Sequence, residues 1–337
     1  MTAPNALPGT WRRRARTVPT MLAVTALLVL LAPLWLPLAV VVDLLRGRWK
    51  LPLLRVLLFG LQYAVNDTVE ILLAPVLWMW AGFGRSLDSE RSVRRHQVLQ
   101  EWSIAVLGRR ARRLLGLRVE LDDASWRALG PAPVIVLCRH VNVVDASLPS
   151  LLYGRIGIPT RGVIMAEMLA DPGFDLIYSR AGSVFIPRAD GANALALVEE
   201  MSRHADRADA VVIFPEGRLF DPDARDRAVH RIAAADPERA DRVRSLRHVV
   251  PARPGGVLAL LAGLPDRDVV VMAHTGLEPY PTFRSLTKAV PLQEPVLVSA
   301  WRVPRADIPD DVAAQTEWLD RQWARVDAAV ASRFAEG

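Results

Sequence analysis

The sequence predicts an α/β fold, a sheet flanked by helices, preceded by an N-terminal membrane-embedded helical region. Two observations carry this expectation. Beyond residue 117, short apolar runs of strand length alternate with segments of helical periodicity, the pattern of a sheet with helices on its faces. Before residue 84, apolar residues come in runs too long for strands, flanked by Arg and Lys. These features divide the chain into an anchor over 1–84, a globular domain over 85–285 and a helical extension over 286–337 packed on that domain.

The first apolar stretch, 18–45, holds one ionisable residue, Asp43, near its end. Since about 20 apolar residues span a bilayer, its length permits crossing. Pro33 and Pro37 interrupt it and basic residues flank both ends, so a re-entrant helical hairpin fits as well as a straight span. Its length and the lack of a small-residue cleavage site argue against a secretory signal peptide. The second stretch, 51–83, is interrupted by Asn66, Asp67 and Glu70, which predicts two helices of about fifteen residues, each too short to cross upright. From 85 to 115 the chain is basic and helical, with Val93, Leu99, Trp102, Val106, Leu107 and Leu114 on an apolar face suited to anionic headgroups.

Strands are expected at 117–121, 134–138, 162–165, 183–186, 211–214, 248–251 and 269–273, with helices at 146–153, 192–204 and 256–264 between them. The charged segment 219–244, with its Asp-Pro pairs, predicts a surface excursion. Val312, Leu319, Val326, Val330 and Phe334 recur at helical spacing and predict an amphipathic helix over 309–334.

Composition narrows the function classes. The single cysteine, Cys138, excludes an intramolecular disulfide framework and suits a reducing cytoplasm. It falls in an apolar run, where packing explains it. The net charge of +6 raises nucleic acid as a partner, but Arg and Lys concentrate beside the apolar stretches, which favours an anionic membrane surface instead. His96, His204, His230, His248 and His274 are scattered without metal-ligand spacing and are assigned to packing or surface, so neither a metal nor a cofactor is expected.

The chemistry concentrates where strands end. His140 follows the run 134–138, with Asp145 five positions on, and the run 211–214 empties into Pro215, Glu216, Gly217 and Arg218. A His oriented by a carboxylate can take a proton from an alcohol, which points to His140 as base and Asp145 as the group fixing its tautomer. A reaction whose donor already has a good leaving group needs no nucleophilic Ser or Cys. A Gly-x-Ser-x-Gly elbow is absent, which argues against a serine hydrolase. Glu216 would form a second polar wall, and Gly217 would allow close backbone approach.

At these residues the chain resembles the glycerophospholipid acyltransferase family, whose blocks run Asn-His-x4-Asp, Gly-x-Ile-Phe-Ile-Asp-Arg, Phe-Pro-Glu-Gly-Thr-Arg and an apolar-Pro segment ending in Gly. Here they fall at 139–145, 182–188, 214–219 and 248–256. The segments at 301–309 and 317–320 look like the C-terminal part of a subgroup with many lysophospholipid acyltransferases. Three positions depart from the pattern: Arg139 stands for Asn, Pro187 for Asp, and Leu219 falls where Arg is common. The resemblance implies an acyltransferase domain over 85–285 with a glycerolipid acyltransferase-like sheet, facing the cytoplasm from the cytoplasmic membrane. It implies acyl-CoA or acyl-carrier protein as donor and a lysophospholipid as acceptor, foremost 1-acyl-sn-glycerol-3-phosphate, with membrane phospholipid as the other partner. Acceptor binding then falls to Arg188, Glu216, Gly217, Arg218 and Arg253, with Arg188 suited to fork a phosphate. Another lysophospholipid, a polar glycolipid, or a non-catalytic membrane lipid-binding role remain as alternatives at this point.

Overall fold

The structure, a computed structural model, describes residues 10–186, 196–201, 209–280 and 282–335. The chain forms two compact units. One comprises Met1–Arg118, Ile164–Ala189 and Thr282–Pro295, the other Val119–Val163, Asp190–Pro281 and Val296–Gly337.

The second unit is an α/β structure. Its strands β1 (Val119–Leu121), β2 (Val134–Cys138), β3 (Thr160–Met165), β5 (Ala210–Ile213), β6 (Asp268–Thr275) and β7 (Val296–Val303) run in the order β1-β7-β6-β2-β5-β3, while β4 (Val184–Ile186) belongs to the first unit. β2 lies parallel between β5 and β6, whereas β6 and β7 pair antiparallel. Every residue of β2 is fully buried, because a central parallel strand is covered on both faces. That explains why its sequence is continuously apolar rather than alternating.

One expectation fails in this unit, and another, the surface excursion, gains structure. Residues 248–251 form no strand: the N–H of His248 goes to Asp327 Oδ1 at 2.6 Å and that of Val250 to Glu216 Oε2 at 3.0 Å, so side chains take donors that a neighbouring strand would need. Residues 219–244 are ordered as the helices Pro222–Ala235 and Pro237–Val243. Each starts with a Pro, whose missing N–H costs nothing in the first turn, and Asp236 caps the second by accepting from Arg239 N at 2.9 Å. Ala224, Ala228, Ala240 and Val243 supply a small buried face that the surrounding charge conceals. The strand β7 was not expected, although Val296, Val298 and Ala300 alternate inward. The helix Val312–Ala335 buries Leu319, Trp323, Val326 and Val330 completely, while Val312 and Phe334 stay exposed.

In the first unit, the helices Thr10–Leu30 and Ala32–Leu45 meet at a 69° bend. Pro33 sits in the first turn of the second helix, where it cannot donate backward to prolong the first. Pro52–Trp80 is one helix of 29 residues, not two. Asn66, Asp67 and Glu70 are buried, and Asn66 Nδ2 donates to Ser103 Oγ at 2.7 Å, so the polar residues ride the inner face without ending the helix. The helix Glu90–Arg110 buries Ser92, His96, Leu99, Gln100 and Ser103 and exposes Trp102, so its inner face is more polar than the expected apolar one and is rotated from it. Arg13 and Arg14 both pair with the buried Asp175, at 2.8 and 2.9 Å. By length and composition the helix Pro52–Trp80 is apolar enough to cross a membrane, and the bent pair adds a second candidate if it counts as one span.

Candidate active site

The site is built at the end of β2. After Cys138 the chain leaves the sheet, and a short 3₁₀ turn, Val143–Ser147, returns the Asp145 carboxylate to the residues just before it. Asn142 caps this turn, its Oδ1 accepting from Val144 N at 3.0 Å. Asp145 Oδ2 accepts from the backbone N–H of Val141 at 2.5 Å and of Asn142 at 2.7 Å, while Oδ1 stands 2.6 Å from His140 Nδ1.

A carboxylate facing Nδ1 places the proton on that nitrogen. His140 Nε2 then carries the free lone pair, and it has no hydrogen-bond partner among the described residues. Burial pushes the Asp145 carboxyl up, but the N–H donors of His140 and His274 outweigh it and hold the group well below the usual carboxylate range. Asp145 therefore stays charged and keeps the imidazole in one tautomer, and the His140 side chain remains 19% exposed.

The segment 214–220 seats against His140 at three points. The Phe214 ring lies against the imidazole, with centroids 4.5 Å apart; Glu216 Oε1 accepts from His140 N at 3.0 Å; and Phe220 N donates to His140 O at 2.7 Å. Glu216 is wholly buried, with its other oxygen on Val250 N. Burial raises its carboxyl to about 8, against the lowering effect of the two backbone donors. Its role here is to staple three backbone segments.

Gly217 adopts φ +63°, a left-handed conformation that favours glycine, and a Cβ there would lie 3.3 Å from the Arg253 side chain. Arg253 N in turn donates to Pro215 O at 2.8 Å. Burial lowers the Arg253 pKa, and the charges of Arg231 and Arg218 lower it further. Neither Arg218 nor Arg253 pairs with a carboxylate among the described residues, and Arg218 Nε is buried without a partner. Among the described residues this wall holds positive charge without a carboxylate partner. Arg188 lies outside the described residues, as does most of the expected helix 192–204.

Arg139 does not serve this wall. Its wholly buried guanidinium donates to His248 O at 2.7 Å and His274 O at 2.6 Å and pairs with Glu278. Two residues missed by sequence reasoning, His274 and Glu278, thus stand behind His140. The signal lay in register: Cys138 pairs with Met272 across parallel strands, so His140 and His274, each two residues further, come side by side. That register is not visible in a single sequence.

A carboxylate-held His at a parallel strand end, with a free ring nitrogen among the described residues, is an arrangement able to take a proton from a hydroxyl. Residues 124–276 match the family model described as Acyltransferase. Among solved structures, the crystal structure of the 1-acyl-sn-glycerophosphate (LPA) acyltransferase PlsC from Thermotoga maritima matches at 15% identity and a TM-score of 0.48, covering 79% of this chain and 96% of that one. No curated protein matches the chain.

Proposed function

We propose that the protein transfers a fatty acyl group from acyl-CoA or acyl-carrier protein to the free hydroxyl of a lysophospholipid, with 1-acyl-sn-glycerol-3-phosphate as acceptor and phosphatidic acid as product. His140 Nε2 takes the acceptor hydroxyl proton as the oxygen attacks the thioester carbonyl. The C–S bond breaks, the ester forms, and the thiolate leaves with the proton that His140 returns. Asp145 holds the ring through both transfers. The observation that carries the phosphate acceptor is the wall of Arg218 and Arg253: charged, partly desolvated, without a carboxylate partner among the described residues, and on segments bonded to each other through Pro215 and to His140 through Phe220. A phosphomonoester supplies the missing counter-charge. Arg188 is assigned to the same acceptor on its motif position. The apolar helices of the first unit would hold the enzyme at the cytoplasmic membrane, its catalytic residues on the cytoplasmic side, where both substrates meet.

The test is an acceptor screen with labelled palmitoyl-CoA on purified membranes. Turnover should be highest with 1-acyl-sn-glycerol-3-phosphate and fall for choline or ethanolamine head groups. A preference for a zwitterionic or glycolipid acceptor would remove the phosphate assignment while leaving the acyl transfer.

A further inference from the structure

We propose that His274 is a positioning residue that tunes the base His140 through Asp145, an inference that rests on the reading of His140 as the base. His274 stands at the buried end of β6 and is 2% exposed. Its Nε2 lies 3.0 Å from Arg139 O and 3.4 Å from Asp145 Oδ2. Both partners only accept, so Nε2 carries a proton, hydrogen-bonded to Arg139 O and within ion-pair distance of the carboxylate that holds His140. Its Nδ1 is buried with no hydrogen-bond partner among the described residues, so the ring is held from the Nε2 side and through its backbone.

Asp145 then stands between two imidazoles. Oδ1 receives His140, and Oδ2 receives two backbone N–H groups with the His274 N–H 3.4 Å away as an electrostatic neighbour. Each N–H near Oδ2 draws negative charge away from Oδ1 and weakens the grip of the carboxylate on a protonated His140. His274 thereby favours the proton-accepting form of the base. The other titratable groups around the pair are Cys138, Arg139, Glu216 and Glu278. Burial pushes the Cys138 thiol up, so it stays uncharged, and Arg139 is neutralised by Glu278.

Removing the donor should strengthen the Asp145–His140 attraction, so the base form appears only at higher pH. In His274→Leu the acid limb of the kcat/KM profile should move up by about half a pH unit, and kcat/KM on that limb should fall by up to about threefold. His274→Gln, which can still place an N–H near Oδ2, should return the limb towards the parent position. In a His140→Ala background, adding His274→Leu should cost no further activity, because its effect passes through His140. Should the leucine variant fail to fold, His274→Asn, whose amide stops short of Asp145, gives the same readout. An unmoved acid limb in the folded variants, or a further loss in the His140→Ala background, overturns the proposal. Near-parental activity of His140→Ala alone would instead remove the base assignment itself.

Discussion

Arg139 and Glu278 form an ion pair behind the base, and the remaining donors of Arg139 go to the carbonyls of His248 and His274. The residue just before His140 is thus a buried tie between the exit of β2, the segment around His248 and the end of β6. Arg139→Asn, which restores the residue common in the family, leaves Glu278 and two carbonyls without their partner. It should destabilise the protein by about 3 kcal/mol, as breaking a buried pair does, while turnover per folded molecule changes less. Urea unfolding measures the first and active-site-normalised kinetics the second; an unchanged unfolding midpoint would show the pair to be dispensable.

His140→Ala and Asp145→Asn should each leave the fold intact and lower turnover by about 10² to 10⁴, the worth of a positioned acid–base group. Asp145→Asn retains the volume but turns one oxygen into a donor facing N–H groups, so its loss should approach that of His140→Ala. Near-normal turnover in His140→Ala would rule out the mechanism.

Arg218→Ala and Arg253→Ala should raise the KM for a phosphate-bearing acceptor about 10- to 100-fold, the worth of a charge-assisted hydrogen bond, with little change in donor KM. Arg188→Ala should behave alike if its motif position is a guide. Equal effects on both substrates would show that these residues do not read the acceptor.

Glu216 gives the fold a pH dependence. Its folded carboxyl titrates near 8, above its ordinary value of 4.5, because burial outweighs its two backbone donors. A raised value means that the folded state holds the proton longer than the unfolded chain, so this group's contribution is complete below about 4.5 and is lost as pH rises through about 8. The stability margin of the parent over Glu216→Gln should therefore shrink between about pH 5 and 8. A constant margin across that window, measured by thermal unfolding, would contradict it.

The strand carrying the base was legible because β2 is buried on both faces and so is written in apolar residues, with polar ones starting where it ends. The pairing of His140 with Asp145 was legible because both lie in one short turn. The role of Glu216 was harder: its partners, the N–H groups of His140 and Val250, are 76 and 34 residues away along the chain. The same long-range bonds turned 248–251 from an apparent strand into a loop. His274 looked like packing because its connection to Asp145 depends on strand register. In the first unit, Asn66, Asp67 and Glu70 looked like a break because nothing local tells that Ser103 answers one of them.

The ion pairs of Arg13 and Arg14 with Asp175 carry a consequence for synthesis. Their partners are separated by 162 and 161 residues. At about 5 to 20 residues per second, the N-terminal helices wait about 10 to 30 s on the ribosome before Asp175 is made. The last segment of their unit, Thr282–Pro295, arrives later still. Throughout that interval Leu27, Leu30, Leu34 and Leu38, which stay exposed even in the finished fold, have only lipid or a chaperone to cover them. These apolar residues are therefore made and need cover well before His140 has been translated.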